Sequence, residues 1–158
     1  MNDGTPSSAP PAYDAETAAA LKLWTVLARA FHSVSEEARR SVERHGLGGS
    51  EFGVLELLYH KGRLSLGEVG ERILLTSGST TYVIDKLEAR GLVRRAACPD
   101  DRRVCYVELT PEGEALIGTV FPAHARRVRE ITDGLSVEEK REAAELLKRL
   151  GRGVRERG

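Results

Sequence analysis

Apolar positions recur along this chain in two rhythms, and their order predicts a mainly helical fold with two short strands near its middle. From Asp14 to His45, Leu21, Trp24, Leu27 or Ala28, Phe31, Val34 or Ser35, Ala38 and Val42 fall at 3–4 spacing on one face, the period of an amphipathic helix. Such a helix is about 45 Å long at ~1.5 Å per residue. That exceeds what a small domain needs for its own core, so its apolar face is expected to meet a further surface. Gly46, Gly48 and Gly49 end it, and Ser50 is the expected cap of a short second helix. Phe52, Val54, Leu55, Leu57, Leu58 and Tyr59 make that helix apolar on more than one side, hence central, and Lys61-Gly62 closes it.

The stretch from Leu64 to Gly113 carries the densest signals. Ser65 and Glu68 have the S-x-x-E spacing of a capping box, followed by Leu66, Val69 and Ile73 on a helix ending near Leu74. A second helix is expected from Ser77 to Arg90, capped by Thr76 or Ser77, with Gly91 where a terminating glycine belongs. Leu92–Arg95 and Val104–Leu109 read as strands around the turn-rich loop 98–103. Beyond them, Thr110 caps and Pro111 opens a helix running to about Thr132, with a kink expected at Pro122. Asp133-Gly134 breaks the chain, and Ser136 with Glu139 starts a last helix carrying Val137, Ala143, Leu146, Leu147, Leu150 and Val154. The predicted order is α–α–α–α–β–β–α–α after a disordered tail, Met1–Ala12.

The helix at Ser77 is where chemistry enters. Thr80, Val83, Ile84 and Leu87 share the face that must be buried. Gly78, Thr81, Tyr82, Asp85 and Ala89 share the other, with Ser79 and Lys86 at its edges. Small hydroxyls, a glycine and a tyrosine near a helix N-terminus suit close approach to a phosphate backbone and base edges. The spacing therefore predicts a recognition helix, and the hairpin after it predicts a wing. An arginine on such a tip can enter a narrow minor groove, and Asp101 is near enough to fix Arg102 or Arg103. The expected DNA-contacting set is Ser77, Gly78, Ser79, Thr80, Thr81, Tyr82, Asp85, Lys86, Asp101, Arg102 and Arg103. From Lys86 to Arg103 six basic residues stand against three acidic ones, a local excess of +3 in a chain whose 24 basic and 24 acidic residues cancel.

Composition adds limits. The 158 residues suit one domain, and 41% hydrophobic with 30% charged residues is a normal soluble balance. No run reaches the ~18–20 apolar residues of a membrane span and no signal sequence is evident, so a cytoplasmic protein is expected. His32, His45, His60 and His124 lack the spacing of a metal site, and no cofactor motif appears. Cys98 and Cys105 flank the wing, where a reducing cytosol disfavours a disulfide. Nothing places a base beside either thiol, which leaves a thiol enzyme without its second group.

The run TSGSTTYVIDKLEARGLVRR…DDRRVCYVELTPEG resembles the multiple-antibiotic-resistance regulator (MarR) family. The matching features are the L-E-x-x-G-L exit of the recognition helix, the D-R-R wing and the L-T-x-x-G entry to the next helix. Cys98 stands where many relatives have an aspartate. The resemblance implies a winged helix-turn-helix over residues 50–110, within one domain spanning 13–158, whose outer helices, 13–45 and 111–156, form a dimerisation region. It also implies binding of double-stranded DNA at a pseudo-palindromic operator. Relatives bind aromatic or phenolic effectors between the dimer helices and the winged part; Trp24, Phe31, Phe52 and Tyr59 are the corresponding aromatic wall here, with His32 or His124 as polar anchor. LLTSGSTTYVIDKLE and CPDDRRV are similar to the methylhydroquinone-responsive subgroup. The expected function is that of a homodimeric repressor released by a small phenolic or quinone-like effector. The alternatives are a constitutive or architectural DNA-binding protein and the thiol enzyme.

Overall fold

The computed structural model describes residues 13–97 and 104–156. The tail Met1–Ala12, the wing-tip residues Asp101, Arg102 and Arg103, and Cys98 lie outside them. The elements are α1 (Ala15–Glu43), α2 (Gly49–Lys61), β1 (Leu64–Ser65), α3 (Leu66–Arg72), α4 (Ser77–Ala89), β2 (Val93–Ala97), β3 (Cys105–Leu109), α5 (Pro111–Ile131) and α6 (Val137–Arg155). The chain divides into two units, one ending at Ser35 and the other beginning at Glu36. This boundary falls inside α1 rather than at its end.

The first unit is helical. Asp14 caps it, its carboxylate accepting from the Thr17 N–H at 2.7 Å. Leu21, Leu23, Trp24, Val26 and Phe31 are exposed on it.

The second unit holds the core. Val54, Leu55 and Leu58 of α2 are buried with Val69 of α3, Ile84 and Leu87 of α4, Val93 and Val107 of the hairpin, and Ile117 and Val120 of α5. Each such side chain stabilises the fold by about 1.5–3 kcal/mol relative to exposure. The central position expected for α2 is observed. Its cap differs from expectation: the helix starts one residue before Ser50, with Gly48 as N-cap, and the Glu51 carboxylate accepts from the Gly48 N–H at 2.7 Å. The boxes at Ser65–Glu68 and Ser136–Glu139 form as expected.

A third strand, β1, joins the hairpin, giving the antiparallel order β1-β3-β2 with Leu64 opposite Val107 and Arg95 opposite Val107 on the other side. Two residues are too short for an alternating pattern, so β1 left no sequence signal. α5 continues through Pro122. Every residue of α6 is exposed or half-buried, including its apolar stripe of Leu146, Leu147, Leu150 and Val154.

Two close approaches set the angle between the hairpin and its neighbours. Gly91 ends α4 at φ +69°, a conformation that disfavours any side chain. At the other end of the hairpin, Thr110 donates from its N–H to the Leu92 carbonyl at 3.1 Å and from its hydroxyl to the Gly91 carbonyl at 2.6 Å. Gly113 lies so near that a Cβ there would stand 1.9 Å from the Leu92 carbonyl oxygen. The L-T-x-x-G motif is thus the joint by which α5 is held to the exit of the recognition helix.

Candidate nucleic-acid interface

α4 presents its polar face because its apolar face is consumed by the core. Thr80, Val83, Ile84 and Leu87 are buried, while Ser77, Gly78, Ser79, Thr81, Tyr82, Asp85 and Lys86 are exposed, Tyr82 to 68%. Thr80 is therefore removed from the expected contact set. At 2% exposure it packs under Gly70 of α3, where a Cβ would come within 2.6 Å of its Oγ1, and its hydroxyl donates to the Thr76 carbonyl at 2.9 Å. Its role is to let α3 and α4 approach closely.

The exposed hydroxyls are differentiated by the helix itself. Thr76 caps α4, accepting from the Ser79 N–H at 3.2 Å, and donates its own proton to Ser79 Oγ at 2.9 Å. Ser79 is left with a free O–H to donate. Thr81 spends its proton on the Ser77 carbonyl at 3.1 Å, so outward it offers lone pairs and a methyl group. The Tyr82 phenol can do either. A donor, an acceptor and an amphoteric group along one exposed helix edge constitute a surface able to discriminate base edges.

Electrostatics around α4 differ from the sequence count. Arg95 of β2 reaches back with Nη2 to Asp85 Oδ1 at 2.6 Å and Nη1 to Glu88 Oε2 at 2.5 Å, and its N–H donates to Glu88 Oε1 at 3.0 Å. Burial opposes the charge on Arg95, but Asp85 and Glu88 outweigh it and hold its pKa above the ordinary value. Asp85, expected to face DNA freely, is thus engaged in tying the wing's first strand to α4. Arg94 pairs across the hairpin with Glu108 at 2.7 Å. Lys86 and Arg90 converge on Glu51 of α2, at 3.3 and 2.9 Å. The four described cations of that window, Lys86, Arg90, Arg94 and Arg95, therefore meet four carboxylates, since Glu51, Asp85 and Glu108 from outside it join Glu88. Among the described residues the local excess of positive charge is matched by these carboxylates.

Glu51 was not anticipated as a site residue. It is 4% exposed. Burial works against its ionisation, but the Gly48 N–H, Arg90 and Lys86 together hold it below the usual carboxylate range. The one signal available in the sequence was its place three residues after Gly48, half of a capping box with a glycine where Ser or Thr usually stands. Glu51, Ser50, Ser79, Tyr82, Val83 and Lys86 line a cleft of about 510 Å³ between the start of α2 and α4.

The expected aromatic wall is dispersed over both units. Trp24 and Phe31, 70% and 72% exposed, and the exposed His32 belong to the first. In the second, Phe52 is buried core and not an open wall, because its ring packs 4.5 Å from that of His124. Ser41 donates its hydroxyl to the Ala38 carbonyl, so the 2.8 Å contact with His124 is an Nδ1–H donated to Ser41 Oγ. Burial holds the His124 pKa below its ordinary value against the opposing field of Glu56. Tyr59 is exposed, 6.4 Å from the Phe121 ring centroid.

Comparison with known proteins places this geometry. The MarR family profile matches residues 45–104. The HTH-type transcriptional regulator MhqR of Bacillus subtilis (strain 168) is 47% identical over 135 residues, covering 85% of this chain and 93% of MhqR. The chain belongs to the MarR family. Among solved structures, this MarR-family chain is similar to Streptomyces coelicolor Sco3205 in complex with DNA, with TM-score 0.79, 25% identity, and 85% and 90% of the two chains covered. It is also similar to Bordetella bronchiseptica BpsR, whose DNA binding is regulated by 6-hydroxynicotinic acid, with TM-score 0.74, 27% identity, and 82% and 98% covered. The protein is a winged-helix, DNA-binding transcription regulator. Among the described residues no helix is long and apolar enough to cross a membrane.

Proposed function

We propose that this MarR-family chain is a homodimeric repressor that reads a pseudo-palindromic operator and leaves it when a small phenolic or quinone-like compound binds. The observation that carries the DNA-reading assignment is the open polar edge of α4, where Ser79, Thr81 and Tyr82 offer complementary hydrogen-bonding groups. Lys86, and on the sequence the wing-tip residues Asp101, Arg102 and Arg103, complete the contact set, with the wing anchoring in the minor groove. One such surface reads one half-site. The uncovered stripe of α6 and the exposed Leu21, Trp24 and Phe31 of α1 supply the apolar surface that a second copy would bury. Two recognition helices would then stand about one DNA turn apart, roughly 34–36 Å.

The effector class is supported by the regulation of BpsR by a hydroxylated aromatic acid and by the aromatic set Tyr59, His60 and Phe121. Selection of bound sequences from random duplex DNA, repeated with a panel of phenols and quinones, tests the whole proposal. It should return a site with dyad symmetry whose occupancy falls with at least one compound. A preferred site without symmetry, or a monomer in sedimentation at micromolar concentration, would reject the dimeric repressor. A symmetric site indifferent to every compound favours the constitutive DNA-binder.

A further inference from the structure

Glu51 is a nearly water-free carboxylate, and two of its three partners belong to the helix that faces DNA. The fold alone does not require its charge. A glutamine could still accept the Gly48 N–H, and Arg90 has a second acceptor in the Gly46 carbonyl at 3.1 Å. What the charge does hold is Lys86, whose side chain is 52% exposed at the edge of the cleft shared by α2 and α4.

The four described cations between Lys86 and Arg95 are all held by carboxylates, but not equally. Arg90, Arg94 and Arg95 sit 2.5–2.9 Å from theirs, whereas Lys86 sits at 3.3 Å. Lys86 can also leave with its carboxylate still satisfied, because the Gly48 N–H and Arg90 remain on Glu51. Lys86 can therefore exchange between an internal acid and an external phosphate. Binding to arbitrary DNA consists almost wholly of phosphate neutralisation, so a carboxylate competing for one of the cations weakens that mode directly. On a matched site the base contacts of α4 hold the duplex in register, and the exchange is driven by proximity.

We infer that Glu51 is a positioning residue that competes with DNA phosphates for Lys86, so that the broken Glu51–Lys86 pair is subtracted from the affinity of α4 for its operator. The inference rests on the reading of α4 as the DNA-reading helix. The full chain is titrated with its selected operator and with random duplex of equal length over a salt series, as parent, Glu51→Gln, Lys86→Met and the double variant. Glu51→Gln should bind the operator about tenfold tighter and random duplex tighter by no more than that, with a salt slope on random duplex steeper by up to about one cation. In the Lys86→Met background that gain should vanish. No gain on the operator, or a gain that persists without Lys86, would overturn the role of Glu51. Should Glu51→Gln not fold, Lys86→Met alone decides: it should weaken operator binding, and an unchanged operator affinity overturns the inference. A parent that selects no operator would instead reject the assignment of α4 beneath it.

Discussion

Ser79 and Thr81 are both hydroxyls on the same exposed edge, yet the helix leaves them opposite offers, a proton on the first and lone pairs with a methyl on the second. Replacing a residue that reads a base costs about 1–3 kcal/mol and relaxes preference at that base alone. Thr81→Ala and Tyr82→Ala should each do so at a different base pair in a repeated selection. An unchanged site in both variants would mean that another face of α4 meets the groove. Gly113 illustrates a different kind of residue, one whose backbone packing leaves no room for a side chain. Its missing Cβ makes room for the Leu92 carbonyl, a backbone atom that cannot swing aside. Gly113→Ala should cost about 3 kcal/mol or more, lowering Tm by roughly 10 °C. A melting curve within two degrees of the parent would show that α5 can shift without loss.

Elements meet here through charges placed on their edges. Arg95 ties β2 to α4 through Asp85 and Glu88, so the wing and the recognition helix should approach DNA as one body. In a double-mutant cycle on operator affinity, Arg95→Met and Arg102→Ala should be coupled by about 1 kcal/mol or more. Additive losses would mean that the wing binds independently of α4. These edge contacts also mark how far the sequence could be read. The helices, their Ser and Thr caps and the Gly91 exit were legible because period and capping are local. The glycine-capped start of α2 and the two-residue β1 were not, because neither carries a pattern of its own. Among the site residues the exposed edge of α4 followed from helical phase, but Thr80 was misplaced by being counted with its neighbours rather than with its face. Charge was the least legible property. Glu51 and Glu108 neutralise cations 35 and 14 residues away, and no window along the chain contains that pairing.

At the scale of the whole molecule, the proposed control by an effector would depend on a ligand distinguishing two states. A compound that favours the DNA-free arrangement 100-fold supplies about 2.7 kcal/mol toward release, and reciprocity requires operator DNA to weaken its binding by the same factor. Titration followed by the exposed Trp24, with and without operator, should show that difference. Equal affinities would make the compound a passenger. The bare stripe of Leu146, Leu147, Leu150 and Val154 on α6 bears on a different quantity, the abundance of the protein. If a second copy covers that stripe, part of each chain's stability comes from mass action, and Tm becomes a function of concentration. Melting should move upward by several degrees between about 1 and 100 μM chain, where a self-sufficient monomer would not move. A regulator stabilised by a second copy in this way would lose folded material as well as operator occupancy when its copy number falls.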